Sequence, residues 1–208
     1  ALALVDPALT DGTPRAVTLA SGLDAVTQVI EPYVSRKANR MTDALCREAI
    51  LPGLKALVRL MEAEDAGARD DLAWTSLCGG LALANAGLGA VHGLAGVIGG
   101  AAPSAPHGAV CGALLGPILQ ANELAAGGER LAEVRGWIAE TLGCGAAEAP
   151  GALAVWAKEN GLPGLGAMGV AEAELEEIAE AAGASSSMKG NPVDLPVETL
   201  VAAMRAAF

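Results

Sequence analysis

Apart from three Trp, one Tyr and one Phe, the apolar part of this chain is aliphatic or small, with 27 glycines and long runs of alanine and leucine. A core with so few rings cannot be filled by large side chains. Backbones must approach one another closely instead, and helices whose contact faces carry Ala and Gly do this well. With 52% hydrophobic residues in a chain of 208, there is material for a substantial buried core. The expected fold is all-α, a multi-helix bundle.

Apolar spacing and turn residues divide the chain into segments. ALALVDPALT is a short extended opening closed by Pro7, with turn chemistry at Thr10, Asp11 and Gly12. Ser21 is the expected N-cap of a helix carrying Leu23, Val26, Val29 and Ile30, which Pro32 bends or ends. A second helix is expected from Arg40 to Met61 with a kink at Pro52, and a polar break from Asp65 to Asp71. Leu72 to Ala95 is apolar on all sides and reads as one buried helix. After a loop over 99–106, helices are expected from His107 to about Asn122 despite Pro117, from Glu129 to Leu142 and from Pro150 to Glu159. A loop over 161–169 leads to two last helices, Glu172 to Ala182 and Val197 to Ala207, which bracket SSSMKGNPVDLP. There is no internal repeat and no interdomain linker, so 1–208 is read as one helical domain.

The net charge of −11 repels a phosphate backbone, and no Lys/Arg cluster interleaved with aromatics exists, which argues against a nucleic-acid partner. Cys46, Cys78, Cys111 and Cys144 are widely spaced and form no CxxC pair, so they read as buried thiols of a cytoplasmic protein. The opening residues lack the basic start of a signal peptide. Asn85, His92 and several glycines interrupt the apolar run from Leu77 to Gly100, so no membrane span is expected. The chain has no initiator Met, as in a fragment or a processed product.

The only two histidines, His92 and His107, share the stretch from Asn85 to Leu115, and each directly precedes a glycine. A divalent metal with nitrogen and oxygen donors needs three or four converging ligands, often two from one helix at i and i+4. Asp24 and Gln28 have that spacing. With the two histidines they make a four-residue shell; an Asp and two His, with Gln28 behind them or beside a water, fits the residues equally well. More ordinary roles compete. Asp24 near a helix start serves the helix dipole, His92 in an apolar run is a hydrogen-bonded core residue, and His107 at a helix entry is a cap. Spacing alone leaves these readings open. The glycines of GLGAVHGLAG follow no strand and sit in a helical pattern, so they are not read as a dinucleotide phosphate loop.

The segments ALVDPALT, SGLDAVTQVIEPYVS, NAGLGAVHGLAGVIGG, APHGAVCGALL and MKGNP occur in this order over nearly the whole chain. Together they resemble the C-terminal helical, metal-binding domain of the iron-containing alcohol dehydrogenase family. The resemblance implies that Asp24, His92 and His107 are metal ligands. It also places Gln28 where the family usually has a further histidine ligand, and Gly96 where many members carry a histidine near the nicotinamide. A proton relay through that side chain is missing here. The cofactors implied are a divalent metal, Fe or Zn, and NAD or NADP in the full-length enzyme. The implied chemistry is hydride transfer with a small-molecule alcohol or aldehyde substrate, the metal polarising its oxygen. No side chain of this chain is assigned as a catalytic acid, base or nucleophile, and a homo-oligomer is the expected assembly. The family's N-terminal nucleotide-binding domain has no counterpart in the chain, so this portion alone is expected to be inactive. Two alternatives stand beside this reading: a catalytically silent helical packing or assembly module, and a metal-independent enzyme resembling maleylacetate reductases, suggested by Gln28.

Overall fold

The apolar segment around Asp24 becomes the centre of the molecule. The computed structural model describes residues 2–208, so Ala1, the head of the opening segment, lies outside the described residues. After a single 3-10 turn over Pro7–Thr10, capped by Asp6, helix α1 runs over Arg15–Val34. It packs against α2 (Arg40–Glu62), α3 (Ala66–Ala86) and α5 (His107–Ala125), and Leu23, Val26, Val29, Ile30 and Tyr33 on it are fully buried. Helix α1 begins earlier than expected. Pro14, with its restricted φ, stands at the N-cap, and Ser21 lies inside the helix, its hydroxyl donating to the Val17 carbonyl. Pro32 does not end the helix. It sits in the last turn, where it removes only the N–H that would have bonded the Gln28 carbonyl, while burial of Tyr33 and Val34 carries the chain onward.

Capping explains the next departures. Asn39 and Thr42 form a capping box that starts α2 at Arg40 as expected. The polar stretch from Asp65 is no break but the start of α3: Asp65 Oδ1 accepts the Ala68 N–H, and Arg69 pairs with Glu64. The helix expected over Leu72 to Ala95 is in fact two. Gly87, at φ +69°, ends α3 in the left-handed region, and α4 (Ala90–Ala101) departs at 97° to it. Among the described residues no single helix is long and apolar enough to cross a membrane.

Helix α5 passes through Pro117 and is followed by α6 (Glu129–Leu142), α7 (Ala149–Glu159), α8 (Leu175–Gly183) and α9 (Val197–Ala206). Buried apolar residues from each of α1–α9 join in one core. At the far end of α1, Tyr33 donates to Glu133 and packs its ring 5.3 Å from that of Trp137, while Arg130 forks onto Asp43 at 2.5 and 2.8 Å. These contacts fix α6 to α1 and α2. The N-terminal ends of α4 and α5 then meet on the face of α1 that carries Ala20, Asp24 and Glu31.

Candidate metal centre

Asp24, Gln28 and Glu31 lie at i, i+4 and i+7 on α1, so they share one face. The start of α4 is built onto that face. Its N-cap, Gly89, has no side chain to satisfy the first backbone N–H groups. Two distant carbonyl-type oxygens do so instead: Glu31 Oε1 accepts the Val91 N–H at 2.7 Å, and Asn191 Oδ1 accepts the Ala90 N–H at 3.1 Å. Asn191 is held in turn by Asn122, to whose Oδ1 it donates at 2.7 Å. This gives MKGNP a structural role, closing the buried end of α4.

His92 occupies the first turn of α4, thus fixed. Its Nδ1 lies 2.7 Å from Glu31 Oε2, and its Nε2 lies 3.2 Å from Asp24 Oδ1. His107 opens α5 with its ring centroid 5.5 Å from that of His92. Cys111, one turn further on, is fully buried and places Sγ 3.5 Å from His107 Nε2. Gly108 allows this approach, because a Cβ there would stand 2.6 Å from the Ala20 carbonyl oxygen on α1. Gly93 likewise packs against Ser185 and Met188, whereas Gly96 faces open space. One donor atom each from Asp24, His92, His107 and Cys111 lies within 4.8 Å of the others. His92 and Cys111 are buried, Asp24 is half-buried and His107 is exposed, so the cluster opens to one side.

The donor set fits a cation. With Nδ1–H donating to Glu31, a neutral His92 turns its Nε2 lone pair toward a carboxylate oxygen, and two acceptors at 3.2 Å repel. Something positive must lie between or beside them. A proton answers this need in one form of the protein: burial opposes charge on His92, but hydrogen bonds to Asp24, Cys111 and Glu31 outweigh it, and its pKa is pushed up to about 12. Burial likewise works against the Asp24 carboxylate, yet the bond to His92 and the charge of the imidazoles hold its pKa below the usual range. Burial pushes the Cys111 thiol up to about 11. A carboxylate behind an imidazole that faces other donors is also the arrangement that orients metal-bound histidines.

The four residues singled out from sequence therefore come together. Gln28 takes a supporting position here, its amide N–H donating to Asp24 Oδ1 at 3.3 Å. Glu31, Cys111 and Asn191 were missed. Two of them carry a signal in retrospect: Glu31 is a lone carboxylate in the apolar run VTQVIEPYV, and Cys111 follows His107 at i+4. Nothing in the sequence pairs Asn191 with the start of α4. Beside Asp24 lies a cavity of about 370 Å³, lined among others by Ala20, Pro106, Gly108, Leu162 and Pro163.

Residues 18–208 match the model of the Fe-containing alcohol dehydrogenase family, C-terminal part. The chain is 34% identical to 1,3-propanediol dehydrogenase of Klebsiella pneumoniae over 212 residues, covering 98% of this chain and 54% of that protein. Among solved structures it superposes on a 1,3-propanediol oxidoreductase with a TM-score of 0.87 at 32% identity, covering 98% of this chain and 55% of the other. Maleylacetate reductase from Agrobacterium tumefaciens superposes with a TM-score of 0.81 at 27% identity, over 98% and 55% respectively. The chain spans about half the length of the curated relatives it matches. On the strength of the matched length, the identity and the shared fold, the chain belongs to the Fe-containing alcohol dehydrogenase family and corresponds to its C-terminal part.

Proposed function

We propose that this chain is the helical, metal-binding portion of an alcohol dehydrogenase-like oxidoreductase that transfers hydride between a small alcohol or aldehyde and NAD or NADP. The observation that carries this reading is the convergence of Asp24, His92 and His107 from three helices on one partly open point. A divalent ion held there supplies a Lewis acid for the alcohol or carbonyl oxygen. Everything else follows from this chain's own side chains. With a metal bound, Glu31 would hold the remaining His92 proton on Nδ1 and leave Nε2 as the donor. Gln28 steadies the Asp24 carboxylate, and the close seating of α5 on α1 at Gly108 sets where His107 stands.

The apolar lining of the cavity beside Asp24 suits the hydrocarbon part of a small substrate, and its volume lies in the range of small-molecule sites. The exposed side of His107 leaves the cluster open to whatever the full-length enzyme brings against it. Because the chain spans about half the length of the curated relatives it matches, the test is made on the full-length enzyme. Elemental analysis of that protein tests the reading, beside Asp24→Ala and His107→Ala. About one divalent ion in the parent, and loss of both metal and NAD(P)-linked alcohol oxidation in the two variants, is the expected result. Full activity after chelation instead favours a metal-independent reductase. Gln28 at a usual ligand position and the likeness to a maleylacetate reductase keep that second reading in view.

A further inference from the structure

We propose that Cys111 is the fourth protein ligand of the metal, its sulfur taking the place left by Gln28, and that the resulting N₂OS donor set selects zinc. The inference rests on the metal-centre reading above and extends it to a residue that reading does not use. Three observations support it. Cys111 and His107 are one turn apart on α5, so both project toward α1. The Cys111 side chain is fully buried yet faces the cluster, with Sγ among the four mutually close donors.

The third observation is metric. Ligand–zinc–ligand angles near tetrahedral, with Zn–N near 2.0 Å and Zn–S near 2.3 Å, separate a nitrogen and a sulfur ligand by about 3.5 Å and nitrogen and oxygen ligands by about 3.4 Å, and the open His107 side of the cluster leaves a fifth position for a substrate oxygen. His107 Nε2 and Cys111 Sγ are 3.5 Å apart, and His92 Nε2 and Asp24 Oδ1 are 3.2 Å apart. Two of the six ligand-to-ligand distances of a zinc site are thus matched by the side-chain packing, and the other donor pairs lie within 4.8 Å. Gln28 meanwhile directs its amide N–H at Asp24, a supporting contact rather than a donor one.

Binding balances as a simple exchange. The Cys111 S–H bond breaks, the sulfur electron pair forms the bond to the metal, and the proton leaves to solvent. No oxidant or reductant is involved. A thiolate is a softer donor than the histidine it replaces and favours Zn(II) over Fe(II), which prefers nitrogen and oxygen neighbours.

The test is Co(II) loading of the full-length apoprotein, read by absorption, with Cys111→Ser alongside. Thiolate-to-cobalt charge-transfer absorption in the near ultraviolet, lost in the variant while the visible cobalt bands remain, is the expected result. Bound cobalt with no such absorption in the parent overturns the Cys111 assignment and leaves the metal-centre reading intact, and so does absorption that persists in C111S. Failure of the parent to bind cobalt overturns both. Should the variant not fold, zinc-edge X-ray absorption of the parent decides alone: a sulfur neighbour at about 2.3 Å upholds the proposal, and a shell of nitrogen and oxygen only refutes it.

Discussion

Replacing Glu31 with Gln keeps the shape of a buried side chain and removes one acceptor, which makes its consequence calculable. Both carboxylate oxygens are in use, Oε2 toward His92 Nδ1 and Oε1 accepting from Val91 N–H, each at 2.7 Å, in a residue only 4% exposed. Glutamine offers one acceptor and one donor group. If its oxygen faces Val91, its NH₂ faces His92 Nδ1 and drives the ring proton to Nε2, the atom that must bind metal. If its oxygen faces His92, two donors confront each other at the start of α4. Either arrangement forfeits one buried hydrogen bond, a loss of about 1–3 kcal/mol. With the amide oxygen toward Val91 the loss falls on metal binding, an affinity roughly 10- to 100-fold weaker, the usual range for losing the partner behind a ligand histidine. With it toward His92 the loss falls on the start of α4 and lowers the thermal midpoint instead. Competition with a chromogenic chelator measures it on parent and variant, with circular dichroism to confirm that both remain folded. A folded E31Q that binds zinc within about threefold of the parent and also melts at the parent's midpoint would refute the role of Glu31 in holding His92 and the start of α4.

Other perturbations follow from the same contacts. Gly108→Ala places a methyl 2.6 Å from the Ala20 carbonyl oxygen and should cost about 1–3 kcal/mol through overpacking, lowering the thermal midpoint by several degrees. Gly136→Ala in α6 meets nothing within 4 Å and should raise stability by about 0.5–1 kcal/mol through helix propensity. Equal midpoints for the two variants would contradict the close-approach argument. Since metal must displace the proton held on His92, apparent affinity should rise by about tenfold per pH unit for each proton released, read by chelator competition at pH 6, 7 and 8. Flat affinity across that range would show that no such proton is present. The hydrogen bond from Arg130 holds the Asp43 carboxyl below its usual pKa. Its contribution to stability is therefore present above the ordinary carboxylate range and is lost as pH falls through the depressed folded value. Asp43→Asn should be less stable than the parent at neutral pH and lose less between pH 5 and 3, as followed by urea midpoints; parallel curves would argue against the pair.

The helical class and most element limits were readable because they rest on local rules. Apolar spacing delimits α2, α5, α6 and α7, and Pro and Gly punctuation marks the loops between them. Where local rules misled, a neighbour in space had decided. Ser21 looks like a cap, but burial and Pro14 extend α1 past it. Leu72 to Ala95 is uniformly apolar, so only the backbone of Gly87 reveals a right-angled corner. That corner matters, because it turns His92 back onto α1.

The sequence by itself determined the all-helical fold, and it identified Asp24, Gln28, His92 and His107 through their spacing and their resemblance to a family. Which of these donors face one another was decided by the tertiary structure alone. Glu31 meets His92 across 61 positions of chain, and Asn191 reaches Ala90 across 101, separations that no periodicity encodes. Directional bonds between side chains brought together by packing set the orientation of the His92 ring, the supporting turn of Gln28 and the inward aim of Cys111, and these decide what the cluster can hold.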